Sequence, residues 1–139
     1  MKREKWQKGA GEFIGFSITV VFLIYLFILI VSFCIAQTAS EEIENAVAVI
    51  SRDIVTCESI KEAQEQAQKE AELFLGKANT IPSESIKAYV EYSPGSPQKW
   101  TKGSFVDVYI SAKIKTNEPL TSRTKEVRAM VMVETEGGE

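Results

Sequence analysis

The chain has 139 residues, 45% hydrophobic and 25% charged, with a formal net charge of -3 and no histidine. With no His, and with Cys34 and Cys57 at no metal-ligand spacing, the usual proton shuttles and zinc sites lack their material, so neither an enzyme nor a cofactor is expected. Residues 1–12 contribute +2 and the remainder -5, which disfavours a nucleic-acid partner.

The tip, residues 1–12, is basic, with Lys2, Arg3, Lys5 and Lys8, and ends in Gly9, Ala10, Gly11 and Glu12. From Phe13 to Ala36 there follow 24 residues without a charge. As a helix they span about 36 Å, enough to cross a hydrocarbon core of about 30 Å with some tilt. The excess of Lys and Arg ahead of the run holds the N-terminus in the cytoplasm and sends residues 37–139 out as one extracytoplasmic domain. The alternative is a secretory signal cleaved after Cys34-Ile35-Ala36, against which the length of the run argues. Gly11 and Gly15 stand one helical turn apart, where missing side chains let another helix come close. Glu12 either sits at the membrane surface or is drawn in to pair with a positive group of a neighbour.

Beyond the run, residues 37–55 contain neither Gly nor Pro, and Ile43, Val47, Ile50 and Ile54 fall on one helical face. The membrane helix therefore continues outside as one rod of about 65 Å, its apolar stripe facing either the domain's own sheet or other rods. Helix continuing to Cys57 sets it about 34 Å from Cys34, far beyond disulfide reach. Cys57 is then either a small buried apolar residue or one end of an intermolecular bridge.

Ser59-Ile60-Lys61-Glu62 has the form of a capping box and starts a second helix at Ile60. Ala63, Ala67, Ala71 and Phe74 continue it, and Gly76 ends it with Pro82 beyond. Its other face, with Glu62, Gln64, Glu65, Gln68, Lys69 and Glu72, reads as solvated.

After Pro82 the period changes to two. Ile86 to Tyr92 forms a strand that exits through the type II turn signal Ser93-Pro94-Gly95-Ser96. Val106 to Ile114 and Val127 to Val133 form two more, joined as a hairpin by a loop over residues 116–124. The expected fold class is α+β: a membrane helix running on into a long amphipathic helix, a short second helix, and a three-stranded antiparallel sheet packed on the helices. One sheet face suits the helices, and the other carries Tyr109, Lys113, Arg128, Met130 and Met132. Trp100 is either a cover over the core edge or an exposed partner anchor, and Tyr109 is a second candidate for a partner surface.

Over nearly its whole length the chain resembles the TadE-like pseudopilins of tight-adherence pilus systems. The resemblance lies in the basic tip with Gly9-Ala10-Gly11-Glu12-Phe13 before a long apolar run, and in the helix Glu44-Asn45-Ala46-Val47-Ala48-Val49-Ile50-Ser51-Arg52. It continues in Lys102-Gly103-Ser104-Phe105-Val106-Asp107-Val108 and in the closing Val127-Arg128-Ala129-Met130-Val131-Met132-Val133-Glu134. It implies a minor pilin in the lipid bilayer, handled by a prepilin peptidase, with other pilins and the pilus assembly platform as partners. It further implies peptidase cleavage between Gly9 and Ala10 and subunit recognition through Glu12. Cleavage there leaves Glu12 third in the mature chain, whereas pilins generally carry their Glu fifth.

Overall fold

Between Gly15 and Asp53 no Gly or Pro interrupts the chain, and Lys2–Asp53 forms one α-helix, α1, of 52 residues. At about 1.5 Å per residue it is about 78 Å long. The computed structural model describes residues 2–117 and 119–135, with the backbone course alone for 2–10. The apolar side chains from Phe13 to Val31 are almost all exposed, making α1 a helix long and apolar enough to cross a membrane. A buried stripe begins at Ser32 and Ala36 and runs through Ile43, Val47 and Ile50 to Ile54. One helix thus has an exposed apolar half and a half that forms the core of a domain. No joint lies between them.

A short 3-10 turn, Ile54–Thr56, closes α1 and leads to α2, Ile60–Leu75. Ser59 caps α2 by accepting from the Glu62 N–H at 3.2 Å. The Glu62 carboxylate accepts the N–H of Glu58, at 2.9 Å, and so ties down the residue before the cap. Ala63, Ala67, Ala71 and Leu75, at strict four-residue steps, form the buried face. Phe74, expected on that face, is exposed, because the four-residue step carries the stripe to Leu75 instead.

The sheet is an antiparallel meander of β1 (Lys87–Tyr92), β2 (Phe105–Ile114) and β3 (Arg123–Met132), in the order β1-β2-β3. The inward row Val90, Val108 and Ala129 sets the register, and α2 lies against β1 while α1 lies against β2 and β3. After β1, Ser96 N–H donates to Ser93 O at 3.0 Å and Gly95 takes a φ of +87°, the geometry that a type II turn reserves for glycine. β3 begins four residues earlier than the apolar alternation at Val127 predicts. Its first residues are polar on both faces, and the ladder continues because Ile114, Lys113 and Ala112 supply partners for Arg123, Thr124 and Lys125.

Three contacts fix how the domain sits on α1. Arg123 Nη2 donates to Ser40 Oγ at 2.9 Å, Lys125 pairs with Glu44, and Glu134 N–H donates to Val55 O at 3.2 Å. Rising numbers on β3 match rising numbers on α1, so strand and helix run in the same sense. The β2–β3 loop therefore lies at the end of the domain nearest the apolar half. The α2–β1 loop shares that end, because Thr80 O accepts the N–H of Lys115 at 2.8 Å.

Candidate functional site

Three surfaces carry the residues singled out from the sequence: the apolar half of α1, its buried continuation, and the outer sheet face. On the first, Glu12 is exposed, and a Cβ added at Gly11 or Gly15 meets nothing within 4 Å. Nothing in the single chain requires glycine at either place. Gly9 and Ala10, the expected peptidase site, fall in residues 1–10, whose surroundings lie outside the described residues.

Ile43, Val47, Ile50 and Ile54 are all buried in the chain's own core, the first of the two alternatives for the stripe. Burying side chains of this size stabilises the domain by about 1.5–3 kcal/mol each, so they are not surfaces for a neighbouring rod. Trp100 likewise corrects the partner-anchor alternative. It is 0% exposed, and its Nε1–H donates to the Cys57 carbonyl at 2.8 Å, pinning the loop before β2 to the junction between α1 and α2. A buried indole needs a partner for its N–H, and the carbonyl left free after the 3-10 turn supplies one.

Cys57 is buried beside it, and its thiol donates to Gln66 Oε1 at 3.3 Å. Burial, with the carboxylates of Glu62 and Glu70 adding to it, pushes the thiol pKa up from its ordinary 9.0. A thiol held protonated and out of water is a poor nucleophile. Cys34 is free and exposed on α1.

On the outer sheet face Tyr109 has both ring faces occupied. Tyr89 stacks on one side, with centroids 4.9 Å apart and planes 11° from parallel, and the Arg128 guanidinium lies 5.8 Å from the ring centroid. Arg128 also donates to Asp107 Oδ2 at 2.6 Å, and Tyr89 OH donates to Glu126 Oε2 at 2.9 Å. This hydrogen bond raises the Tyr89 pKa above its ordinary 10.0, and Arg128 is raised by its bond to Asp107. The cluster joins all three strands and leaves Tyr109 half-buried. Asp107 lies buried at its centre, Oδ1 without a hydrogen bond.

Sequence reasoning missed the glutamines of α2. Gln64 Nε2 donates to Ala88 O and Gln64 Oε1 accepts from Val90 N–H, both at 2.8 Å. One turn on, Gln68 Nε2 donates to Ile86 O at 3.1 Å and Gln68 Oε1 accepts from Ala88 N–H at 2.7 Å. Two amides four residues apart thus take the place of a fourth strand along the outer edge of β1. The face expected to be solvated is partly an edge cover. Glu65, Lys69 and Glu72 on the same face are exposed as expected. The available signal was the pair of Gln residues at a four-residue step, since an amide alone can both donate to and accept from a strand edge.

Among the described residues no group of three or more His, Cys, Asp or Glu side chains is placed to hold a metal ion. The hollows are shallow and near the surface. One of about 430 Å³ lies between α1 (Ile30, Val31, Cys34) and the α2–β1 loop (Ala78 to Thr80), and one of about 670 Å³ is bordered by Pro82, Lys113, Lys115 and Pro119. No protein-family profile, no curated protein and no solved structure matches the chain.

Proposed function

We propose that this chain is a minor pilin or pseudopilin of the TadE-like kind, taking part in the assembly, priming or composition of a tight-adherence pilus and so in surface attachment. The observation that carries the reading is α1 itself, whose exposed apolar half is continuous with the core of an α+β domain. Such a subunit is held first by lipid and then by the apolar helices of its neighbours, and subunits that repeat head to tail without closing form filaments. The N-terminus stays in the cytoplasm behind its Lys and Arg residues, and the domain lies outside.

The experiment is the intact mass and N-terminal residue of the protein from its own membranes, together with its presence in sheared filaments. A chain starting at Ala10 and recovered with other small pilins is the expected result. A chain starting at Met1 and absent from every sheared fraction, in cells whose piliation survives both its deletion and Glu12→Ala, refutes the role. A start at Gln37 refutes the anchor as well.

A second reading, a single-pass anchored module that never enters a filament, is favoured by one observation. The stripe from Ile43 to Ile54 is buried in the chain's own core, and between those residues Val49 alone of the large apolar side chains is exposed, too little to seat another rod. The same shearing experiment separates the two.

A further inference from the structure

We propose that the domain makes a second contact with the membrane through the β2–β3 loop, whose Leu120 enters the lipid at the outer surface of the bilayer. The inference rests on the reading of α1 as a membrane span. Leu120 is 80% exposed, more than any large apolar side chain of the apolar run. A lone exposed leucine is ordinary, and what sets this one apart is where the fold puts it.

From Lys125 to Arg123 the strand descends two residues, about 7 Å, while its partners on α1 descend from Glu44 to Ser40, about 6 Å. The loop that leads into Arg123 lies further in the same direction, past Ser40 toward the end of the apolar run. The neighbouring loop marks the same level independently, because Ala78 to Thr80 border a hollow with Ile30, Val31 and Cys34 of α1. Residues 13–31 alone provide about 28 Å of helix, nearly the whole hydrocarbon thickness. The bilayer surface therefore falls where the domain begins to cover α1 at Ser32.

The occupant follows from this position. A side chain on the underside of a domain that begins at the bilayer surface meets lipid before any other surface. Lys113 and Lys115, exposed at the end of β2, border the same hollow as Pro119, with Glu84 opposite, and place positive charge at headgroup level. Basic residues there favour anionic lipid. An apolar tip that follows Lys113 and Lys115, whose charge outweighs that of the intervening Glu118, suits that interface better than it suits another copy of the same lysine-bearing loop.

The test uses the full chain in nanodiscs of zwitterionic and anionic phospholipid. The environment-sensitive fluorophore NBD is attached at Leu120→Cys in a Cys34→Ala background, Cys57 being buried. The same label at Lys99→Cys, in the exposed loop beyond β1, gives the aqueous reference, and at Phe22→Cys it gives the membrane reference. At position 120 the emission should shift to the blue of position 99 by more than about 10 nm. Lipid carrying a nitroxide near the headgroup should quench it at least twofold more than lipid carrying one deep in the chain. Water-like, unquenched emission at 120 with quenching at 22 overturns this contact and leaves the span intact. Loss of quenching at 22 overturns the span itself. A blue-shifted but unquenched label gives the loop to a protein surface instead of lipid and also overturns the proposal, and disulfide formation between two unlabelled Leu120→Cys chains identifies that surface as another copy.

Discussion

Truncating the glutamines that cover β1 separates an edge cover from a solvated helix face. Gln64→Ala removes two hydrogen bonds to the strand, to Ala88 O and Val90 N–H, and Gln68→Ala also removes two to the strand, to Ile86 O and Ala88 N–H, besides an exposed one to Glu72 Oε1. At about 0.5–1.5 kcal/mol net per neutral bond each variant loses about 1–3 kcal/mol, and water entering the opened edge holds the loss near about 1–2. Because both amides meet at Ala88, the double variant is not simply additive. Gln→Glu at either place keeps the shape and the acceptor but removes the donor, setting a carboxylate against a strand carbonyl, so it costs more than Ala. Urea unfolding of the full chain in micelles, followed by Trp100 fluorescence in a Trp6→Phe background, measures the loss. Hydrogen exchange locates it, the amides of Ala88 and Val90 exchanging about 5–30-fold faster, the factor that corresponds to such energies. Two Ala variants within about 0.5 kcal/mol of the parent, the range of an ordinary surface substitution, with unchanged exchange at both amides, would refute the edge cover.

Trp100→Ala opens a cavity in the fully buried junction and should cost about 3–5 kcal/mol, whereas Trp100→Phe keeps most of the volume but strands the Cys57 carbonyl and should cost roughly half as much; urea unfolding followed by far-UV circular dichroism, which needs no tryptophan, reads both. Cys57 holds its proton more tightly folded than unfolded, so its contribution is complete below the ordinary thiol pKa and is lost as pH rises through the raised value. Cys57→Ala should therefore flatten the fall in stability between pH 8 and pH 9.5, a window kept below the tyrosine range, and an unchanged slope counts against burial of the thiol. In native protein a maleimide should modify Cys57 far more slowly than in urea, with equal rates refuting its protection.

The long apolar run, the helical stripe from Ile43 to Ile54 and the period-two strands were legible because each is a local pattern with one physical cause, and the α+β layout followed from their order. The start of β3 was not legible, because residues 123–126 pair with β2 without alternating. The role of Gln64 and Gln68 depends on β1 lying beside α2, a long-range relation that leaves no period in either segment. Trp100 was readable only as two alternatives, since nothing local says that a carbonyl 43 residues earlier waits for its N–H. The burial of Asp107, one acidic residue alternating with the apolar row of β2, was not legible either, because the Arg128 that pairs with it lies 21 residues on in β3.

In the proposed filament role, the continuity of α1 would also set the terms on which the subunit travels. Side chains such as Phe13, Phe22 and Phe27 each cost about 1.5–3 kcal/mol in water, so the exposed half as a whole has no affordable aqueous intermediate. It can leave one apolar host only by sliding directly into another. With no hinge between span and domain, each residue handed across, about 1.5 Å of travel, displaces the folded sheet outward by the same distance. On that proposal the helix would be anchor and piston rod together, and a subunit caught halfway would be held by both hosts at once.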